Sequence, residues 1–394
     1  MDENLSKLDT LNVIIAGHID HGKTTLLEKL SGKWTDTHSE ELKRGITIKL
    51  GYADKIIYKD KKYNIENKGK PQRYVSFIDA PGHEMLMATM LSGAAIVDAA
   101  ILVIAVNEGI KPQTKEHLMA LQAKDIRNII VIQNKIDLVD IEKVKKNYQE
   151  LKKLFKGTIA ENATIIPISA QQGVNMDKIF EELCKITIPK RNPKDNPIFL
   201  VARSFDINKP GTNPSELKGT VLGGTLREGI LKKGDVIEIK PGISIKEQDK
   251  ISYQTIKTKI IGLHKGSYEV SELTPGGSSS IETELDMSVG KTDFLSGCVA
   301  SLEGKLPEIT YDLKFKYSLF KEIAGIDDEI KLKSTDVLMI SANTSVTVGS
   351  IRKITPKEIE LKIKIPLINF KNSKIGVAKN INGHWRLIGY GEII

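Results

Sequence analysis

The sequence predicts an α/β domain, with a mainly parallel sheet and flanking helices, followed by two β-barrel domains. Three observations predict it. Of five apolar, β-branched runs in the first half, four end at a short polar motif. Helical patterns separate these runs, which is the mark of βαβ units. After a stretch with three prolines at 188–197 the texture changes to short alternating runs punctuated by glycine, as barrels require.

The strand candidates come first. Residues 13–16 run into a glycine loop, 74–78 into Asp79, 129–132 into Asn134-Lys135 and 165–168 into Ser169; 101–106 is a further buried candidate. Open α/β sheets place ligands outside the carboxyl ends of such strands. The proline-rich stretch 188–197 reads as a linker. Alternation in 219–224 and 233–239 opens the first barrel, and a second boundary falls near Gly304 to Pro307. The expected domains are therefore 1–197, 198–305 and 306–394.

Composition narrows the class. The chain has 394 residues, 40% hydrophobic and 27% charged, which suits a globular protein of two to three domains. No apolar run approaches the ~18 residues that span a bilayer. Met1 to Thr10 is polar and lacks an apolar signal core, so a cytoplasmic location is expected. Cys184 and Cys298 are the only cysteines, and both read as small buried hydrophobes. The net charge of +8 suits either a polyanionic partner such as RNA or a lysine-rich solvated surface.

The chemistry is concentrated in four motifs. Gly17-His18-Ile19-Asp20-His21-Gly22-Lys23-Thr24 carries two glycines separated by four residues, then Lys-Thr. Backbone N–H groups can surround phosphate oxygens only where no Cβ blocks the approach, and a following helix N-terminus adds a favourable dipole. Gly17, His18, Asp20, His21, Gly22, Lys23, Thr24 and Thr25 therefore form the expected phosphate site. Lys23 should bridge the β- and γ-phosphates, and Thr24 should ligate Mg²⁺. Asp79, in Asp79-Ala80-Pro81-Gly82-His83, suits either the metal, through water, or a helix N-cap. Gly82 lets a backbone N–H approach the γ-phosphate.

Asn134-Lys135-Ile136-Asp137 selects the base. The Asp137 carboxylate is acceptor-only and suits guanine N1–H and the N2 amine, for which adenine has no equivalent donor pair. Asn134 can donate toward the guanine edge, the Lys135 stem can lie over the ring, and Ser169-Ala170 offers a backbone N–H for O6. The four motifs in this order imply GTP/GDP binding and hydrolysis. Thr47 can complete the Mg²⁺ shell only when a γ-phosphate is present, the behaviour of an order–disorder switch, or it is a strand-edge threonine. His83 either orients the attacking water or makes a structural contact at a helix start.

The loop Gly17 to Leu26, with Arg44-Gly45-Ile46-Thr47 and Asp79 to His83, resembles the translational GTPases of the elongation-factor-Tu type. The finer resemblance is to the gamma-subunit family of archaeal and eukaryotic translation initiation factor 2. Residues 34–52, 112–122, 203–211 and 385–391 carry it. The lack of a long N-terminal extension favours the archaeal form. The resemblance implies a P-loop GTPase domain and a GTP-dependent carrier of initiator methionyl-tRNA to the small ribosomal subunit. Hydrolysis would leave it in a low-affinity GDP state. It further implies alpha and beta subunits of the same factor in a heterotrimer, no membrane partner, and a second metal near Asp20 and Gly45. His83, Asp20 and Thr47 are the catalytic candidates; Thr24, Thr47, Asp79, Asp20 and Gly45 are the metal candidates.

One departure stands out. The family usually carries paired CxxC motifs between the switch and the Asp79 strand, whereas residues 58–70 contain neither Cys nor His. Structural zinc takes about four N/S ligands, so no zinc is expected and a shorter hairpin held by local turns should stand there. Two other readings share the domain plan: an elongation-type or selenocysteine-specific aminoacyl-tRNA carrier, and the GTPase subunit of a sulfate-activating enzyme. Arg203, Lys209, Lys218 and Arg227, expected in loops of the first barrel, suit a tRNA surface or a solvated face.

Overall fold

A computed structural model describes residues 8–33, 50–81, 87–208, 211, 213, 217–248, 250–323 and 330–394. The first domain is a seven-stranded sheet in the order β3-β2-β4-β1-β5-β6-β7. Its strands are β1 (Thr10–Gly17), β2 (Gly51–Lys59), β3 (Tyr63–Asn64), β4 (Lys70–Asp79), β5 (Ala99–Ala105), β6 (Asn128–Asn134) and β7 (Thr164–Pro167). The pairs β4–β1, β1–β5, β5–β6 and β6–β7 are parallel, while β2 and β3 close one edge antiparallel.

Burial on both faces explains the unbroken apolar runs, since parallel strands are covered on each side by helices. Leu11, Val13 and Ile15 of β1 pack with Leu26, Leu27 and Leu30 of α1 (Lys23–Ser31). Ile14 and Ala16 face the opposite layer, which holds α2 (Met87–Ala94), α3 (Pro112–Ala123) and α4 (Ile141–Phe155). Asp140 caps α4 by accepting the Lys143 N–H at 2.7 Å. Further on, α5 (Met176–Lys185) returns to the α1 face through Ile179, Phe180 and Leu183.

The corner over residues 58–70 is a hairpin organised by one side chain. Asn64 Oδ1 accepts the Glu66 and Lys68 N–H groups at 3.1 and 3.3 Å, and its Nδ2 donates to the Lys68 carbonyl at 2.9 Å. This is local side-chain-to-backbone bonding of the kind asparagine favours in turns.

The second unit is a closed barrel. Its strands are β8 (Ile198–Phe205), β9 (Val221–Glu228), β11 (Val236–Glu247), β12 (Lys250–Lys265), β15 (Ser279–Thr283) and β16 (Val299–Leu302), in the order β11-β16-β8-β9-β15-β12, closed by β11–β12 pairing. Short pieces β10 (Leu231–Lys232), β13 (Tyr268–Glu269), β14 (Glu272–Leu273) and α6 (Met287–Gly290) decorate it. The third unit is a barrel of β17 (Ile309–Leu319), β18 (Val337–Ala342), β19 (Ser345–Ile354), β20 (Glu358–Ile368), β21 (Lys374–Ile381) and β22 (His384–Ile393). Alternate residues of β17 and β19 point inward, as the sequence pattern requires.

The stretch 188–197 is no free linker. Arg191 pairs with Asp98 at 2.6 Å and donates to the Thr10 carbonyl at 3.0 Å, and the Asn192 carbonyl accepts the Gly229 N–H at 2.9 Å. Of its charges, Arg191 is turned onto the first domain, while Lys190, Lys194 and Asp195 stay exposed. Cys298 is buried as expected, whereas Cys184 is half-buried at the end of α5.

Candidate functional site

The carboxyl ends of β1, β4, β6 and β7 lie along one edge of the sheet and carry the motifs. Gly17 ends β1 with φ +143°, and a Cβ there would fall 2.3 Å from the Val103 carbonyl oxygen of β5. Gly22 has φ +84°, and a Cβ would meet Asn134 Nδ2 at 2.5 Å. Both positions therefore demand glycine. Between them Asp20 is exposed with φ +63° and His18 is half-buried, as is Thr25 in the first turn of α1. The Gly22 carbonyl accepts the first helical bond of α1, from Leu26 N–H at 2.9 Å.

The polar side chains converge. Lys23 is buried, and its Nζ donates to the His18 carbonyl across the loop at 2.9 Å. Thr24 Oγ1 donates to Asp79 Oδ2 at 3.1 Å, joining the start of α1 to the end of β4. His21 is fully buried with Nδ1 3.2 Å from the Val103 carbonyl; burial pushes its pKa down to about 4. His117 of α3 accepts the Gly17 N–H on Nδ1 at 2.8 Å, and burial, with Lys23 and His18 nearby, lowers it to about 3. Sequence reasoning missed His117; it lies within 112–122, yet nothing local marks it out as facing the loop.

The base-side motifs adjoin the loop through Asn134. Its Nδ2 donates to the His21 carbonyl at 2.9 Å, and its Oδ1 accepts the Ala170 N–H at 3.0 Å. The Ala170 N–H assigned to a base oxygen thus bonds to Asn134, and the Asn134 amide reaches a loop carbonyl. This side chain ties the phosphate and base halves together. Lys135 has φ +63° and extends its Nζ to 3.6 Å from Glu108. Asp137 is exposed in a short 3₁₀ turn, and the buried Ser169 accepts the Gln172 N–H at 3.2 Å. Gly45, Thr47, Gly82, His83 and Lys209 lie outside the described residues.

The basic residues assigned to barrel loops divide differently. Arg203 lies in β8 and pairs with Asp293 at 3.3 Å, and Arg227 lies in β9 with its guanidinium 4.9 Å from the Phe370 ring. Both lie on strands, beside buried residues, and each side chain reaches a neighbouring segment. Lys218 is exposed, 3.6 Å from Glu282.

A cleft of about 290 Å³ opens between the first domain and the first barrel. Tyr52 and Asp54 line one wall and Arg203, Phe205, Gly223 and Gly224 the other. No helix among the described residues is long and apolar enough to cross a membrane.

Comparison with known proteins agrees with this geometry. Residues 8–189 match the profile described as "Elongation factor Tu GTP binding domain", and 311–393 match "Initiation factor eIF2 gamma, C terminal". The "Translation initiation factor 2 subunit gamma" of Methanococcus vannielii is 46% identical, covering 99% of each chain. That of Thermococcus onnurineus is 46% identical over 97% of each. Among solved structures, a bacterial selenocysteine-specific elongation factor superposes with TM-score 0.78 at 25% identity, covering 98% of this chain and 58% of that one. The elongation factor SelB of Methanococcus maripaludis, in complex with the GTP analogue GPPNHP, gives 0.74 at 21% identity, covering 98% and 79%. The chain therefore belongs to the gamma-subunit family of translation initiation factor 2, and it is a translational GTPase.

Proposed function

We propose that the protein carries initiator methionyl-tRNA to the small ribosomal subunit in its GTP form and releases it after hydrolysis. The observation that carries this reading is the convergence of Lys23, Thr24, Asp79 and Asn134 at one sheet edge, beside a cleft shared with the first barrel. The Thr24 hydroxyl and Asp79 carboxylate form a hard-oxygen pair that fits a magnesium ion. Magnesium bound there would neutralise charge on the β- and γ-phosphates.

The chain's own residues supply the remainder. Lys23 places a buried ammonium beside the loop, where a phosphate would take the place of the His18 carbonyl that it now meets. Asp137 selects guanine through two donors, and Asp137→Asn should move preference toward xanthosine nucleotides. His83 would orient the attacking water; His83→Ala should keep GTP affinity and lose stimulated turnover. Thr47 would join the metal shell only in the triphosphate state, with Asp20 and Gly45 serving a second ion.

The cleft between the first domain and the first barrel has the size and mixed lining to take an aminoacyl end. Tyr52 contributes a buried hydroxyl there that has no partner among the described residues. The alpha subunit would dock on the first barrel and the beta subunit on the nucleotide domain. The deciding measurement is tRNA affinity by filter binding with GTP analogue against GDP, with and without alpha subunit. Initiator methionyl-tRNA should bind more tightly than elongator methionyl-tRNA, and only with the triphosphate. Equal affinity for both tRNAs would overturn the initiator reading.

A further inference from the structure

Two adjacent residues of α3 face different domains. Consecutive helical residues diverge by about 100°, and here that divergence is used at both ends. Glu116 meets Arg386 of β22, in the second barrel, at 2.6 Å. His117 turns inward to the phosphate loop and accepts the Gly17 N–H at 2.8 Å. Both are buried, at 6% and 2% exposure. At the C-cap of the helix, Lys124 Nζ donates to the Ser341 carbonyl of the same barrel at 2.9 Å.

Gly17 is fixed from both sides. The Val103 carbonyl blocks any side chain, and the His117 ring holds the amide. An imidazole can accept on Nδ1 only when neutral with its proton on Nε2. Burial beside Lys23 and His18 keeps it neutral.

We propose that His117 is a positioning residue for the nucleotide site, and that the Glu116–Arg386 contact couples its placement to the docking of the second barrel. The proposal rests on the reading that the nucleotide is held by the 17–24 loop. Because α3 moves as one rod, a shift of the barrel against Glu116 displaces the ring that sets Gly17.

The test is release of a fluorescent GDP from the full chain by stopped flow. His117→Leu leaves a buried donor unsatisfied and should speed release about tenfold or more. His117→Asn puts an acceptor at the Nδ1 position and should return the rate to within about threefold. Arg386→Met, far from the loop, should speed release roughly two- to fivefold. The double variant His117→Leu/Arg386→Met should fall short of the product of the single effects.

Wild-type release in His117→Leu, or an Asn variant as impaired as Leu, overturns the positioning role. Multiplying effects in the double variant overturn the coupling. Should His117→Leu fail to fold, Arg386→Met decides: faster release supports the coupling and unchanged release overturns it. Lys23→Ala is the separate control. Wild-type affinity in that variant would sink the nucleotide-site reading itself, whereas lost affinity there with unchanged His117 and Arg386 variants sinks only the present inference.

Discussion

The first domain meets its two barrels in different ways. Against the first barrel the seam is hydrogen-bonded and close to the backbone. Asn12 Oδ1 accepts the Gly277 N–H at 2.7 Å, its Nδ2 donates to Thr225 Oγ1 at 3.2 Å, and Ser76 Oγ accepts the Ser278 N–H at 2.9 Å. Against the second barrel the seam is a continuous apolar core, with Leu91 packed beside Gly376. Long charged side chains, Arg386–Glu116 and Lys124, stitch it. Short bonds to backbone leave little room for sliding. Apolar surface with flexible charged tethers can shift while staying in contact. The second seam is also the one whose helix touches the phosphate loop.

Acid should separate the α3 side from the rest most strongly. His21 and His117 are held at about 4 and 3, below the ordinary 6.5, so the unfolded chain binds protons there that the folded chain refuses. Their contribution is complete above pH 6.5 and falls as pH drops toward 4. The pair should cost on the order of 6 kcal/mol across that window, read from urea midpoints at stepped pH. A His117→Asn variant with an unchanged pH slope would remove His117 from that account.

Asn12→Ala comes next. It strips a buried acceptor and donor from the first seam and should lower stability by about 3 kcal/mol. Nucleotide affinity should change by less than about threefold, because none of these bonds reaches the loop. A large loss of affinity would erase the contrast between the seams.

Lys124 sharpens it further. Burial alone lowers its ammonium from 10.5 to about 7, so the unfolded chain holds a proton between those values that the folded chain has released. Stability gained from this group therefore rises with pH. Lys124→Met should be at least as stable as the parent at pH 6, then lose ground by on the order of 2 kcal/mol by pH 9. The smallest effect belongs to the junction of the two barrels: Arg227→Met gives up stacking on Phe370 and should cost about 1 kcal/mol in thermal unfolding.

What the sequence made legible follows the range of the interactions. Gly17, Gly22, Lys23 and Thr24 stand together in eight residues, and four β-branched runs lead into their motifs, so the motifs and a mainly parallel sheet could be read in line, while the lateral order of the strands could not. Asn12 to Gly277 spans 265 residues and His117 to Gly17 spans 100, and no local pattern marks either end. Arg191 illustrates the same limit. Prolines and charges around it read as a spacer, yet its guanidinium closes on Asp98 across 93 residues. Arg203 and Arg227, expected in loops, lie on β8 and β9: Arg203 pairs across to Gly223, and Arg227 sits where the β8–β9 register shifts. The Asn64 turn was foreseeable because its partners lie within four residues.

The Asn134 bridge has a kinetic consequence. A single carboxamide ties the phosphate and base lips of the pocket to one another. Little chain entropy then remains to be lost on capture, and preorganisation of this sort raises affinity chiefly by cutting that loss. Guanosine should therefore enter a vessel already shaped, with arrival governed by diffusion and residence time left to the loops around it.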